Sequence, residues 1–545
     1  LVYDFIKVGR IVDFTVSPFV ALRNFHHLQK SDASLFSITS HNSLTISHEN
    51  PQSPKLTITS DSMQYSQNPQ WWYDFVYRID SRRGQDFKED LWTPGFFKAS
   101  IDSPCKLVIW ANLTDANSAP QKHYDNLQDL QKDLSKHQNK VITSVKTKDN
   151  LFKKLSIAAD QFICKRTASG PASTRYTILA GFPWFADWGR DAFISLPGLL
   201  LCTKKYDVAK SVLTTFAHAV DKGMVPNRFD DIASTAHFNS IDASLWFINA
   251  AFEYLEASDD RRTFESELIG TICDIVQAYH DGTRFDTHAD ADALIIAGDV
   301  NTQLTWMDAK CHGIAFTPRY GKAVEINALW YNVLCRLAQY YSDTDIDKAE
   351  HYHRMADSVQ QSFIKTFWNP DTKCLNDHVL PNGRANSSIR PNQIFAVSLA
   401  FSPLPADMQK SVVEITAEKL LTPYGLRTLD PLDSNYQPRY EGNQFQRDQA
   451  YHQGTVWPFL IGHFIDAYLK VNKNSKKSKT QAKKFLQPLL QHFQSDSCLG
   501  SISEIFDAEH PQLPKGCFAQ AWSVAELLRA YCRINNIGAS NQKLK

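Results

Sequence analysis

From Leu151 onward one helical pattern recurs twelve times, and this recurrence constrains the fold more than any other feature. In the first pattern the apolar residues share one face of a helix: Leu151, Phe152, Leu155, Ala158, Ala159, Phe162 and Ile163. The other patterns lie near residues 190–202, 206–220, 240–257, 262–281, 323–341, 346–368, 392–401, 407–420, 455–470, 480–494 and 518–535. Twelve successive helices predict six helical hairpins, the arrangement of an (α/α)6 toroid, over residues 151–545.

The connections between alternate helices are long and rich in aromatic and charged residues. They cover residues 223–239, 298–321, 422–454 and 498–517. Long ordered loops in a compact domain usually carry function. We therefore expect a site at the mouth of the toroid, built from these connections.

Residues 1–115 show the shorter period of β-strands. Leu44–Ile46 and Leu56–Thr59 alternate, residues 71–80 are rich in aromatics, and Leu107–Trp110 is a short apolar run. This predicts a β-sandwich N-terminal domain, either complete or with its first strands preceding Leu1. Residues 116–150 are polar and have a helical character, as a linker would. The predicted fold class is therefore mostly α: a toroidal catalytic domain preceded by a β-sandwich.

Composition excludes several classes of function. The formal net charge is zero, so no overall field draws the chain to nucleic acid or to an anionic membrane. No apolar run approaches the ~18 residues of a membrane span. The 10 cysteines are scattered singly, without a Cys-x-x-Cys pair. We expect reduced thiols in a cytoplasmic protein and no metal site.

The densest functional cluster is the segment Gly181–Gly198. It contains Trp184 and Trp188, Asp187 and Asp191, and Arg190. Aromatic rings stack on the C–H face of a sugar, and charged groups hydrogen-bond its hydroxyls. One alternative is a helix start with an aspartate near the N-terminal dipole and Trp188 in the core. The whole cluster is more typical of a sugar site.

Four further clusters lie on the predicted connections. They cover residues 226–246, 304–325, 424–458 and 500–523. The chain has no P-loop, no dinucleotide-binding glycine turn, no His-Glu-x-x-His and no nucleophile elbow. Carboxylates among tryptophans then favour glycoside hydrolysis by an acid–base pair.

These clusters resemble the glycogen debranching enzyme family, in its short prokaryotic form with amylo-α-1,6-glucosidase activity. The resemblance runs through nearly the whole chain. Its N-terminal motifs are Trp72-Tyr73, Arg83-Gly84, Glu89-Asp90-Leu91 and Pro94-Gly95. Its later motifs are residues 183–191, Thr305–Asp308, Arg427-Thr428 and Gln520–Ser523.

The resemblance implies an inverting mechanism with Asp308 as general acid and Glu504 as general base. Burial beside Trp306 would raise the pKa of Asp308, whereas the Gly/Ser-rich surroundings of Glu504 suggest that water reaches it. Arg190 and Asp191 resemble a pair that grips the terminal glucose. The full set of predicted substrate-binding residues is Trp184, Asp187, Trp188, Arg190, Asp191, Asn239, Asp242, Trp306, Arg319, Lys322, Glu325, His452 and Trp457. The implied partner is glycogen or another branched α-glucan, with no cofactor.

Three alternatives stay open at this point. A toroidal glucoamylase or trehalase-like hydrolase would share the acid–base pair but cut another linkage. A bifunctional enzyme would add 4-α-glucanotransferase activity. A glucan-binding protein without catalysis would need only the aromatics, and the pairing of Asp308 with Glu504 argues against it.

Overall fold

The structure is a computed structural model that describes residues 1–23, 27–40, 43–50, 53–114, 126–145, 147–167, 174–229 and 236–537. Asp230 lies outside these ranges, as do residues 116–125 and Lys146 of the predicted linker. Two compact units are present: residues 1–137 with 442–444, and residues 138–441 with 445–545. Within the described ranges, no helix combines the length and apolar character needed to span a membrane.

The first unit is rich in β-structure, as predicted. Its strands are Val2–Phe5, Val12–Val16, Leu35–Ser40, Ser43–His48, Lys55–Thr59, Gln64–Val76, Lys88–Ile101, Cys105–Val108 and Trp110–Thr114, with one short helix at Arg78–Arg82. They pair antiparallel in sheets of two, three and four strands. Leu44 and Ile46 are both fully buried because alternate residues of a strand face the same side. With Phe97 and Trp92 they form the core of this unit.

The second unit contains a helix at each of the twelve predicted positions. Six helices are buried on most faces: Gly189–Leu196, Asp242–Ser258, Val324–Tyr341, Phe395–Ser398, Leu460–Val471 and Ala521–Asn535. We call these the inner helices. The six outer helices are Asn150–Asp160, Tyr206–Ala217, Ile269–Asp281, Ile346–Phe367, Ala406–Lys419 and Lys476–Ser495. The helix Leu127–Ser144 spans the division between the units.

The inner helices contact one another in chain order. Each packs against the next, and the last, Ala521–Asn535, packs against the first, Gly189–Leu196. An inner helix such as Asp242–Ser258 is apolar around most of its circumference, which is typical of full burial. An outer helix such as Ile346–Phe367 is amphipathic and begins at Asp345, whose side chain caps the amide of Lys348.

The connections carry short strands that tie them together. A five-stranded sheet joins Leu421–Thr422, Gly425–Arg427, Val456–Trp457, Ile505–Phe506 and Pro514–Lys515. A second pairing joins Gly181–Phe182 to Ala519–Gln520. These strands bring segments far apart in sequence to one end of the helices.

Two helix starts are displaced by strands, and one helix was not predicted. The helix expected from residue 455 begins at Leu460, because Val456–Trp457 pairs as a strand. The helix expected from residue 518 begins at Ala521, because Ala519–Gln520 pairs with Gly181–Phe182. A helix at Gln444–Ala450, inside a predicted connection, was not expected.

Candidate active site

Arg190 lies at the centre of the site, in the first turn of the inner helix Gly189–Leu196. Its side chain is 3% exposed. Nε donates to Asp242 at 2.7 Å, and Nη1 donates to Asp308 at 3.0 Å. Nη2 donates to the Ser240 hydroxyl, which in turn donates to Asp242. The fork of guanidinium donors thus joins three connections at one point.

Asp308 is the most accessible carboxyl of this group. Its side chain is 28% exposed, and one oxygen accepts from Arg190. Burial raises the pKa of Asp308 above its usual value, although the charge of Arg190 opposes the rise. This direction is the one expected for a carboxyl that must carry a proton.

Trp306 fixes the connection that bears Asp308. Its indole nitrogen donates to the Asn392 side-chain oxygen at 2.7 Å, and Asn392 donates to Asp377 at 2.7 Å. The indole ring packs edge-on against Trp457, with centroids 5.3 Å apart. Trp306 is therefore anchored at both its polar and its apolar face, and it is 4% exposed.

Arg319 anchors the same connection from the other side. Its Nε donates to Asp377 at 2.7 Å and its Nη1 donates to the Thr305 hydroxyl at 3.1 Å. Both oxygens of Glu325 accept from the guanidinium. The side chains of Arg319 and Glu325 are each 1% exposed. The structure therefore places this predicted pair in a buried ion network behind Asp308.

Glu504 is buried at 2% exposure, rather than open to water as its Gly/Ser-rich surroundings suggested. The sheet strand Ile505–Phe506 follows it directly, and both residues of this strand are buried. Two donors hold the carboxylate: the Tyr451 hydroxyl donates to Oε1 and the Cys517 amide donates to Oε2 at 2.8 Å. Burial raises the pKa of Glu504 to about 7, and both hydrogen bonds oppose this rise.

Asp191 connects the two predicted catalytic carboxyls electrostatically. Burial raises its pKa to about 8, Arg190 opposes the rise, and the charges of Glu504 and Asp308 add to it. One oxygen accepts from the Gln520 amide at 3.2 Å. The three carboxyls therefore share one low-dielectric neighbourhood.

His452 and Trp457 form a ring stack beside this group. Their centroids lie 5.3 Å apart at 19°, and Trp306 lies edge-on to both. Burial, with nearby arginines, holds the pKa of His452 well below its usual value, so the ring is neutral. Neither ring nitrogen of His452 has a hydrogen-bond partner among the described residues.

The other predicted residues are more scattered. Trp184 and Trp188 are half-buried. Both rings contact Phe185 edge-on, with ring centroids 6.3 Å and 6.4 Å apart. Asn239 is exposed. Two charged members make their polar contacts outside the Arg190 group. Asp187 accepts hydrogen bonds from Arg166 at 2.6 Å and from Thr177 at 3.0 Å. Lys322 forms ion pairs with Asp290 and Asp292, each at 2.7 Å.

Several residues that hold the site were not selected from the sequence. Tyr451, Cys517 and Gln520 lie inside the clusters 424–458 and 500–523. Their place in those clusters is the sequence signal that could have identified them. Asp377 and Asn392 stood in none, and only their contacts identify them. Among the described residues, no group of three or more His, Cys, Asp or Glu side chains is arranged to hold a metal ion.

Comparisons with known proteins agree with this arrangement. A family model described as Amylo-alpha-1,6-glucosidase matches residues 157–529, and one described as Glycogen debranching enzyme N terminal matches residues 1–108. The glycogen debranching enzyme of Saccharomyces cerevisiae is 26% identical over 492 residues, covering 70% of this chain and 32% of the yeast protein. This chain thus spans about a third of the length of that relative.

The family resemblance inferred from the motifs is confirmed. The first model matches more than half of the chain and includes Arg190, Asp308 and Glu504. The chain therefore belongs to the amylo-alpha-1,6-glucosidase family of glycogen debranching enzymes.

Proposed function

We propose that this chain hydrolyses the α-1,6-linked branch glucose of a glycogen limit dextrin by an inverting acid–base mechanism. The observation that carries this proposal is the grouping of Asp308 and Glu504 around Arg190 and Asp191. Asp308 accepts from Arg190, and the charges of both Asp308 and Glu504 act on Asp191.

Asp308 serves as the general acid. Its raised pKa keeps a proton available, and its partial exposure lets the carboxyl reach the glycosidic oxygen of a bound chain. When that oxygen takes the proton, the C1–O bond breaks and the remaining glucan leaves as an alcohol. Arg190 orients the carboxyl through its 3.0 Å hydrogen bond.

Glu504 serves as the general base. As the leaving group departs, the Glu504 carboxylate takes a proton from water. The water oxygen then bonds to C1 from the face opposite the leaving group. The Tyr451 hydroxyl and the Cys517 amide stabilise the carboxylate before this step. A separation of roughly 6.5–9.5 Å between the two carboxyls would leave room for that water.

The remaining predicted residues divide into two proposed roles. Arg190, Asp191, Asp242 and His452 surround the terminal glucose, with Trp184 and Trp188 on its approach. Trp306, Trp457, Arg319 and Glu325 are buried and satisfied, which supports a role in holding the Asp308 connection. We propose no direct sugar contact for Asp187 or Lys322, since both are engaged elsewhere.

We also propose that the second unit is an (α/α)6 toroid and that the first is a β-sandwich. The cyclic contacts of the inner helices support the first proposal, and the antiparallel sheets, whose buried residues share one core, support the second. The proposed limits are residues 1–115, a linker at 116–150 and residues 151–545. A cytoplasmic location fits the 10 cysteines, all of which are free.

The test is glucose release from glycogen trimmed to its limit dextrin, followed by proton NMR. We expect β-glucose to form first, because a single displacement inverts an α-linkage. α-Glucose forming first would exclude the inverting mechanism. Separating the remaining products by size tests for 4-α-glucanotransferase activity, which would lengthen the outer chains. We expect no such lengthening from this chain.

Parallel assays with maltose and trehalose separate the proposal from its nearest alternatives. A glucoamylase-like or trehalase-like enzyme would release glucose faster from those substrates than from limit dextrin. A glucan-binding protein without catalysis would release none from any of them.

A further inference from the structure

Among the described residues, one side chain donates a hydrogen bond to Glu504. The Cys517 amide is main chain, whereas the Tyr451 hydroxyl donates to the other carboxylate oxygen. Burial raises the pKa of Asp191 and the charge of Glu504 adds to the rise, so Asp191 does not favour the ionised form of Glu504. The tyrosine is therefore the side chain that favours the ionised form of Glu504.

Tyr451 is itself held in place. Trp457 donates from its indole nitrogen to the Tyr451 carbonyl at 3.0 Å, and the Thr455 hydroxyl donates to the same oxygen at 2.6 Å. The phenol ring lies 4.9 Å from the Trp457 ring and 5.3 Å from the Tyr440 ring. These contacts fix the position from which the hydroxyl approaches Glu504.

The phenol stays protonated in this position. Burial and the neighbouring Glu504 raise the pKa of Tyr451 well above its usual value, with Tyr440 and Cys517 acting in the same direction. A hydroxyl that keeps its proton donates to the carboxylate throughout the working pH range. Donors to a carboxylate stabilise its charge and lower its proton affinity.

We propose that Tyr451 is the positioning residue of the general base: its hydroxyl holds the buried Glu504 carboxylate in one orientation and keeps it ionised. The inference rests on the proposed function, because it requires Glu504 to be the base. Tyr451 acts through Glu504 and takes no proton itself.

The decisive variant is Tyr451→Phe, assayed with α-glucosyl fluoride. Fluoride leaves without a proton, so this substrate reports the base step and not Asp308. We expect kcat/KM at pH 6 to fall by about tenfold to a hundredfold, the usual effect of losing a hydrogen bond to a charged group. We also expect the acid limb of the pH profile to move up by about one unit, so that part of the loss is recovered at higher pH.

The matched control is Tyr440→Phe. It deletes a hydroxyl from a ring that packs on Tyr451, whereas the described donors to Glu504 are Tyr451 and Cys517. We expect its acid limb to stay where the unchanged enzyme has it. Thermal unfolding of both variants checks that each folds.

A double variant separates positioning from a general loss of structure. On top of Glu504→Gln, Tyr451→Phe should cost less than threefold, because its partner charge is already gone. The inference would be overturned if Tyr451→Phe lowered kcat/KM as much in the Glu504→Gln background as in the unchanged enzyme. It would also be overturned if Tyr451→Phe alone lowered kcat/KM equally at every pH. Glu504→Gln is assayed first. If it keeps near-full activity, Glu504 is not the base, and the inference about Tyr451 fails with it.

Discussion

Arg190 donates to Asp308 at 3.0 Å across 118 residues of sequence. The same guanidinium donates to Asp242 at 2.7 Å, so one buried cation joins the start of the helix Asp242–Ser258 to the connection that bears Asp308. This contact places Asp308 beside Asp191, where burial raises the pKa of both carboxyls.

Asp308→Asn should lower turnover of limit dextrin by about 10²–10⁴-fold, the range for losing general acid or base catalysis. The change is isosteric, so folding should survive. Activity on α-glucosyl fluoride should be largely retained, because that leaving group needs no proton. Glu504→Gln is the matched control, and it should lose activity on both substrates. Equal losses for Asp308→Asn on the two substrates would contradict its role as acid.

Gly516→Ala should disable the enzyme without unfolding it. A Cβ at this position would lie 2.3 Å from Oε2 of Glu504, so the carboxylate must move. Displacing a catalytic group by about 1 Å can cost 10²-fold in rate, and we expect a loss of that order in kcat.

Gly500→Ala is the control for the glycine variant. Gly500 also has a positive φ, +79° against +67° for Gly516, but a Cβ there meets nothing within 4 Å. Both variants should show similar backbone strain in thermal unfolding, and only Gly516→Ala should lose activity. Equal activity in the two variants would show that the Glu504 carboxylate tolerates the displacement.

Arg319→Leu should destabilise the fold by about 3–5 kcal/mol, because it removes the guanidinium that pairs with two buried carboxylates, Glu325 and Asp377. Urea unfolding of the second unit measures this loss. Arg354→Leu is the surface control: that side chain is 69% exposed and pairs with Glu350 at 3.4 Å, so its removal should cost less than about 1 kcal/mol. Similar losses for the two would mean that the buried network contributes little.

The contribution of Asp191 to stability should fall as the pH rises from about 4 to about 8. The pKa of Asp191 is raised to about 8 in the folded protein, above its unfolded value of 3.8. The folded state therefore keeps a proton that the unfolded state releases, and a rise in pH favours unfolding across this window.

Asp191→Asn should remove part of that slope, since its amide cannot ionise. We expect the variant to be more stable than the unchanged enzyme at pH 8, by a few kcal/mol in order of magnitude, and to differ little at pH 4. Its affinity for glucose should fall. Urea unfolding at the two pH values is the measurement, and an equal difference at both would refute the assignment.

The sequence by itself determined the helices and the clusters that come together around Arg190. Helical periodicity from Leu151 predicted twelve helices, and helices lie at all twelve positions. Aromatic and charged clusters marked the connections that bear Arg190, Asp308 and Glu504. These signals are local, because the spacing of apolar residues and the composition of a cluster depend on short stretches of sequence.

The tertiary structure decided how those connections meet. Asp191 accepts from Gln520 across 329 residues, and Trp306 is held by Asn392 across 86. Asn392 and Asp377 carry no local pattern, so only packing reveals that they support Asp308. The burial of Glu504 was also decided here, since its own neighbours in sequence suggest an open turn. Burial and pairing depend on which distant segments share one low-dielectric space, and that is set when the inner helices pack together.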